Sequence, residues 1–68
     1  MKIDENHLKA AECCRHAADC HERAAKHHRE GDHEIAAHHA QLAYAYRLEA
    51  TDHAEAAARQ YAAEPGSF

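Results

Sequence analysis

A chain of 68 residues, 46% apolar and mostly by alanine, with two glycines and one proline, is one small domain written in helix-forming residues. Its formal net charge of -4, with acids and bases interleaved, argues against nucleic acid as the main partner, because no basic face is concentrated anywhere. No run of about 18 apolar residues offers a membrane span, and Met1 to His7 lacks the apolar core of a secretory signal.

The first predicted helix covers residues 5–30. Asp4 suits the N-cap, and Ile3 and Leu8 are placed to form a hydrophobic staple. Glu5 with Lys9, Asp19 with Arg23 and Glu22 with Lys26 are acid-before-base pairs at four-residue spacing, a solvated outer face. Gly31 suits the left-handed position that ends a helix, and Asp32 caps the next one. The second helix is predicted over residues 33–63, with Glu64-Pro-Gly66 as its stop and 64–68 as a disordered tail. So short a turn makes the two helices antiparallel neighbours.

The fold class is therefore all-α, an antiparallel hairpin. At about 1.5 Å rise per residue its helices are long and thin, and two hairpins joined as a homodimeric four-helix bundle would bury their apolar faces. A second ridge on helix 2, Ala37, Tyr44 and Leu48, makes a tetramer the alternative.

Three heptads repeat along helix 1: Lys9 to Arg15, His16 to Glu22 and Arg23 to Arg29. Each places Ala, Ala and then Cys or His in the same columns. An apolar seam ordinarily carries Leu, Ile or Val, so imidazole and thiol side chains there point to chemistry beyond packing. The seam of helix 1 reads Ile3, His7, Ala10, Cys14, Ala17, His21, Ala24, His28, with Ala11, Ala18 and Ala25 alongside. That of helix 2 reads Ile35, Ala36, His39, Leu42, Ala43, Tyr46, Ala50, His53, Ala57.

Folding about Gly31 then brings His39 towards His21, Ala24 and His28, and His53 towards His7, Ala10 and Cys14, with Tyr46 between the two groups. Imidazoles on facing helices can converge on one ion. Beside the seam, Cys13, His16 and Cys20 share a strip with His27 a heptad beyond, a donor set suited to Cu(I) or Zn. The plain alternative is that Cys13 and Cys14 pack as small apolar side chains and that buried imidazoles are satisfied by Tyr46, Glu49 or water. The expected ligands are thus His7, Cys13, Cys14, His16, Cys20, His21, His28, His39 and His53, the expected ion Zn, Cu or Ni.

Enzymatic activity is the least supported class. Di-iron carboxylate chemistry needs Glu plus Glu-x-x-His at mid-bundle, and the nearest fragments, Asp4-x-x-His7 and Glu30-x-x-His33, lie at a helix end and across the turn. No nucleophile triad or phosphate loop occurs. The nine histidines would carry the formal charge from -4 to +5 if all were protonated. A structural or interaction module with pH-dependent assembly is therefore the competing function.

The stretch Ala24-Ala-Lys-His-His-Arg-Glu-Gly-Asp-His-Glu-Ile-Ala-Ala-His-His-Ala40 resembles small bacterial proteins rich in Ala and His, of uncharacterised function. In these, similar His-His, Gly-Asp-His-Glu and Ala-Ala-His-His-Ala runs surround the turn of a helical hairpin. The resemblance implies the fold and supplies no catalytic residues. It departs at Tyr44, Tyr46 and Arg47, where more histidine would be expected. The segment from Cys13 to His28 is also faintly similar to Cys-rich helical bundles that hold copper, which carry far more than three cysteines. The setting expected from these readings is the cytoplasm, with the cysteines reduced.

Overall fold

A computed structural model describes residues 2–63 of the chain as two helices, α1 (Lys2–Arg29) and α2 (His33–Ala63), packed against each other as a hairpin. No strand occurs among the described residues, and no helix there is long and apolar enough to cross a membrane.

Helix α1 begins at Lys2, so Asp4 lies within the first turn rather than ahead of it. There its carboxylate complements the positive end of the helix without acting as N-cap. Leu8 is 66% exposed; the side chain of Ile3 and the tail 64–68 lie outside the described residues. Of the predicted surface pairs, Asp19 and Arg23 meet at 3.1 Å, a contact worth a few tenths of a kcal/mol.

The turn is built as predicted from Gly31, whose φ of 86° is open to glycine without steric cost. Gly31 N–H donates to the His28 carbonyl at 3.1 Å and Asp32 N–H to the His27 carbonyl at 2.8 Å. This is the paired closure of a Schellman motif, which satisfies the last carbonyls of α1 and reverses the chain in three residues.

Two columns from each helix meet in the seam. One is alanine throughout: Ala17 and Ala24 on α1 face Ala36, Ala43, Ala50 and Ala57 on α2, all buried, with Ala10 half-buried at the end of the column. The other is polar or sulfur-bearing: Asn6, Cys13, Cys20 and His27 on α1, His39, Tyr46, His53 and Gln60 on α2. The register follows from contacts at both ends, Asn6 Nδ2 donating to Gln60 Oε1 at 2.8 Å and His27 stacking on His39 with ring centroids 5.4 Å apart. It places Cys13 level with His53 and Cys20 level with Tyr46. The seam therefore alternates Ala–Ala layers, in which the backbones can approach closely, with layers that carry hydrogen-bonding or ligand atoms.

Such a core is thin. Among the described residues the buried apolar side chains are alanines and two cysteines, while Leu8, Ile35, Leu42, Tyr44, Leu48 and Tyr61 are exposed. A buried methyl contributes roughly 1 kcal/mol, so the seam alone gives modest stability. The hairpin measures 55 × 15 × 13 Å and exposes 5070 Å², where a compact chain of its mass exposes about 4,300 Å².

Candidate metal centre

The structure rotates α1 by one column relative to the seam expected from its repeat. Ala10, Ala17 and Ala24 face α2 as expected, but the residues that complete the stripe are Cys13, Cys20 and His27. Cys14, His21 and His28 are exposed, as is His7. The physical reason lies in doublets: Cys13-Cys14, Cys20-His21 and His27-His28 offer a ligand-type residue on either side of the alanine column, and both choices keep the three-and-four spacing of a helix stripe.

Two expected groupings are corrected accordingly. His39 stacks on His27 rather than joining His21 and His28, and His53 meets Cys13 rather than Cys14 and His7. The strip of Cys13, His16 and Cys20 does not converge either. The two thiols are one heptad apart on a single helix, about 10 Å at 1.5 Å per residue, too far to share an ion. His16 turns aside, its ring stacked on Tyr46 with centroids 5.0 Å apart and its Nε2 3.7 Å from Glu12 Oε1.

One layer does bring three ligand types together. Cys13 Sγ, a carboxylate oxygen of Glu49 and a ring nitrogen of His53 all lie within 4.8 Å of one another. α1 supplies the thiol from the buried seam; α2 supplies the carboxylate and the imidazole from positions four apart, hence on one face of the helix. Cys13 is buried, His53 half-buried and Glu49 exposed, so the group opens to solvent on the glutamate side. Two ligands on a tetrahedral zinc ion stand about 3.5 Å apart, given Zn–S near 2.3 Å and Zn–O or Zn–N near 2.1 Å.

The thiol donates to Glu49 Oε2 at 3.2 Å. That hydrogen bond, burial and the glutamate charge raise the Cys13 pKa to about 11, since all three favour the neutral thiol. Without an ion, Cys13 is a protonated, weakly nucleophilic thiol. With one, the cation would replace the proton between sulfur and carboxylate, because metal ligation requires the thiolate.

Glu49 is the member of this group that sequence reasoning treated only as a hydrogen-bond partner. Its signal was present: it precedes His53 by four residues, so the two necessarily share a face. The last polar layer, next to the turn, holds His27 and His39 with rings parallel to within 7° and each Nδ1 buried without a hydrogen-bond partner. Burial first, and then the nearby His27, lower the His39 pKa.

Comparison with protein families, with curated proteins and with solved structures returns no match to this chain.

Proposed function

We propose that this protein is a non-enzymatic metal-binding hairpin, which takes up a borderline transition-metal ion, Zn(II) above all, through Cys13, Glu49 and His53. The convergence of thiol, carboxylate and imidazole from two helices within 4.8 Å carries this reading. A mixed sulfur, nitrogen and oxygen set with one position left for water suits zinc better than Cu(I), which favours sulfur-rich surroundings. The setting that fits is a reducing one such as the cytoplasm, where Cys13 stays available as a ligand.

The same reading includes assembly of two hairpins into a four-helix bundle. The stripe of α1 left outside, Ala11, Cys14, Ala18, His21, Ala25 and His28, repeats almost residue for residue the stripe that packs on α2. No charged residue interrupts it, so a second copy could cover it without burying an unpaired charge. A second copy laid on this face would enclose His7, Cys14, His21 and His28 in the bundle interior.

Titration of reduced, metal-free protein with Co(II) tests the metal reading. A thiolate-to-cobalt charge-transfer band is expected, displaced by Zn(II), weakened at least tenfold in affinity by C13S or H53Q and unchanged by C14S. A band that survives C13S, or that vanishes with C14S, overturns the assignment. Absence of any sulfur-bound ion would favour the competing module without metal.

A further inference from the structure

We propose that the hairpin turn is a second divalent-metal site, made by His27, Glu30 and Asp32 and separate from the thiol-containing layer. In a Schellman closure the third residue from the helix end and the second beyond it are held side by side, a place usually taken by two apolar side chains. Here those residues are His27 and Asp32, and their backbones are joined by the 2.8 Å bond from Asp32 N–H to the His27 carbonyl. An imidazole and a carboxylate stand where an apolar contact would stabilise the turn, and Glu30 adds a second carboxylate.

The atoms are spaced for a shared cation. His27 Nδ1 is buried and has no hydrogen-bond partner. It lies 3.8 Å from Glu30 Oε1 and 3.9 Å from Asp32 Oδ2, and the three ligand atoms fall within 4.8 Å of one another. These separations are too long for N–H···O bonds, which cluster near 2.9 Å. They lie a few tenths of an ångström above the roughly 3.4 Å that separates nitrogen and oxygen ligands on a tetrahedral first-row ion. Two carboxylates turned towards one buried imidazole nitrogen give a cation between them a favourable electrostatic site. The ring cannot swing away freely, because His39 stacks flat against it.

The donor set, one imidazole and two carboxylates without sulfur, selects a divalent first-row cation whose remaining positions are filled by water. Because Glu30 and Asp32 are exposed, binding should be weaker than at a closed site and exchange readily. The ligands come from the last turn of α1 and from the connection itself, with Asp32 directly before α2, so an occupied site would brace the reversal at the hairpin's apex.

Zinc calorimetry together with Co(II) spectroscopy on the full chain tests the proposal. The wild-type protein should bind two equivalents, one with the thiolate band and one without it. E30Q combined with D32N, which keeps an asparagine able to cap α2, should weaken the sulfur-free equivalent at least tenfold and leave the thiolate band intact. H27Q should do the same, with the helical circular-dichroism signal reporting that both variants fold. A single equivalent in the wild type, or a second equivalent indifferent to these changes, overturns the turn site. So does loss of that equivalent in H28Q with H33Q alone, since His28 and His33 form a rival pair at 2.7 Å between their Nδ1 atoms. Loss of the thiolate band with the sulfur-free equivalent retained would instead refute only the Cys13 assignment.

Discussion

Replacing Ala43 by leucine should separate the two helices and destabilise the protein by about 1–3 kcal/mol, the usual cost of overpacking a close-fitted core. Ala43 is 0% exposed and stands in a column where Ala17, Ala24, Ala36, Ala50 and Ala57 are also buried. With Ala43 wholly covered by the facing helix, the added carbons must push α1 outward, which also opens the layers on either side. A domain of this size has a total stability of roughly 3–10 kcal/mol, so the expected loss is a substantial fraction of it. The control is Ala45→Leu, exposed on the same helix, where leucine differs from alanine by only a few tenths of a kcal/mol in helix propensity. Urea unfolding followed by circular dichroism, at one fixed protein concentration because association shifts apparent stability, gives the comparison. On heating, the same loss should lower the midpoint by about 4–8 °C per kcal/mol. If A43L unfolds within about 0.5 kcal/mol of A45L, the range usual for surface changes, the alanine layers are not the close-packed seam and the register described above is wrong.

Cys14 is exposed whereas Cys13 and Cys20 are buried, so brief alkylation at pH 7.5 followed by peptide mass spectrometry should label Cys14 first. With its pKa raised to about 11, Cys13 holds a thiolate fraction roughly a hundredfold below an unperturbed thiol, and equal labelling of Cys13 and Cys14 would contradict the contact with Glu49. His39 is faced by His27, Arg23 and Asp19 from α1 and by His38 on its own helix, and its pKa is lowered, by burial first. A lowered imidazole pKa contributes stability that is present above the unfolded value of about 6.5 and is lost as pH falls through that value towards the folded one. Metal-free protein should therefore lose stability as pH falls below about 6.5, and H39Q should flatten that slope in urea unfolding; an unchanged slope would show that His39 is not held neutral. Gly31→Ala meets no neighbour within 4 Å, so its only penalty is the left-handed backbone at φ 86°. That penalty is about 1–2 kcal/mol, and a neutral substitution by thermal unfolding would mean the turn is not the closure described.

The glycine, the doublets and the heptads were all legible without coordinates, yet they carried different weight. Gly31 followed by Asp32 marks the reversal because only glycine enters the left-handed region freely, and the observed closure uses that residue as expected. The alanine column of α2 was legible because Ala36, Ala43, Ala50 and Ala57 stand alone at their spacing. Ile35 and Leu42, expected in the same seam, are exposed, because they stand one residue before that column and about 100° away from it on the helix. Helix α1 starts three residues before the position Asp4 suggests, since an aspartate serves equally as a cap or as a first-turn acid.

What the sequence by itself determined is the class and the pairing: two alanine-rich helices, folded back at Gly31, with small residues in one column and hydrogen-bonding or ligand residues in the next. What only the tertiary structure decided is which half of each doublet on α1 turns inward. Cys13 and Cys14, Cys20 and His21, His27 and His28 define two stripes about 100° apart on the helix, of nearly the same residue types, so periodicity cannot rank them. Packing against α2 breaks the tie. It sets Cys13 beside Glu49 and His53 and lays His27 against His39, leaving the twin stripe on the surface.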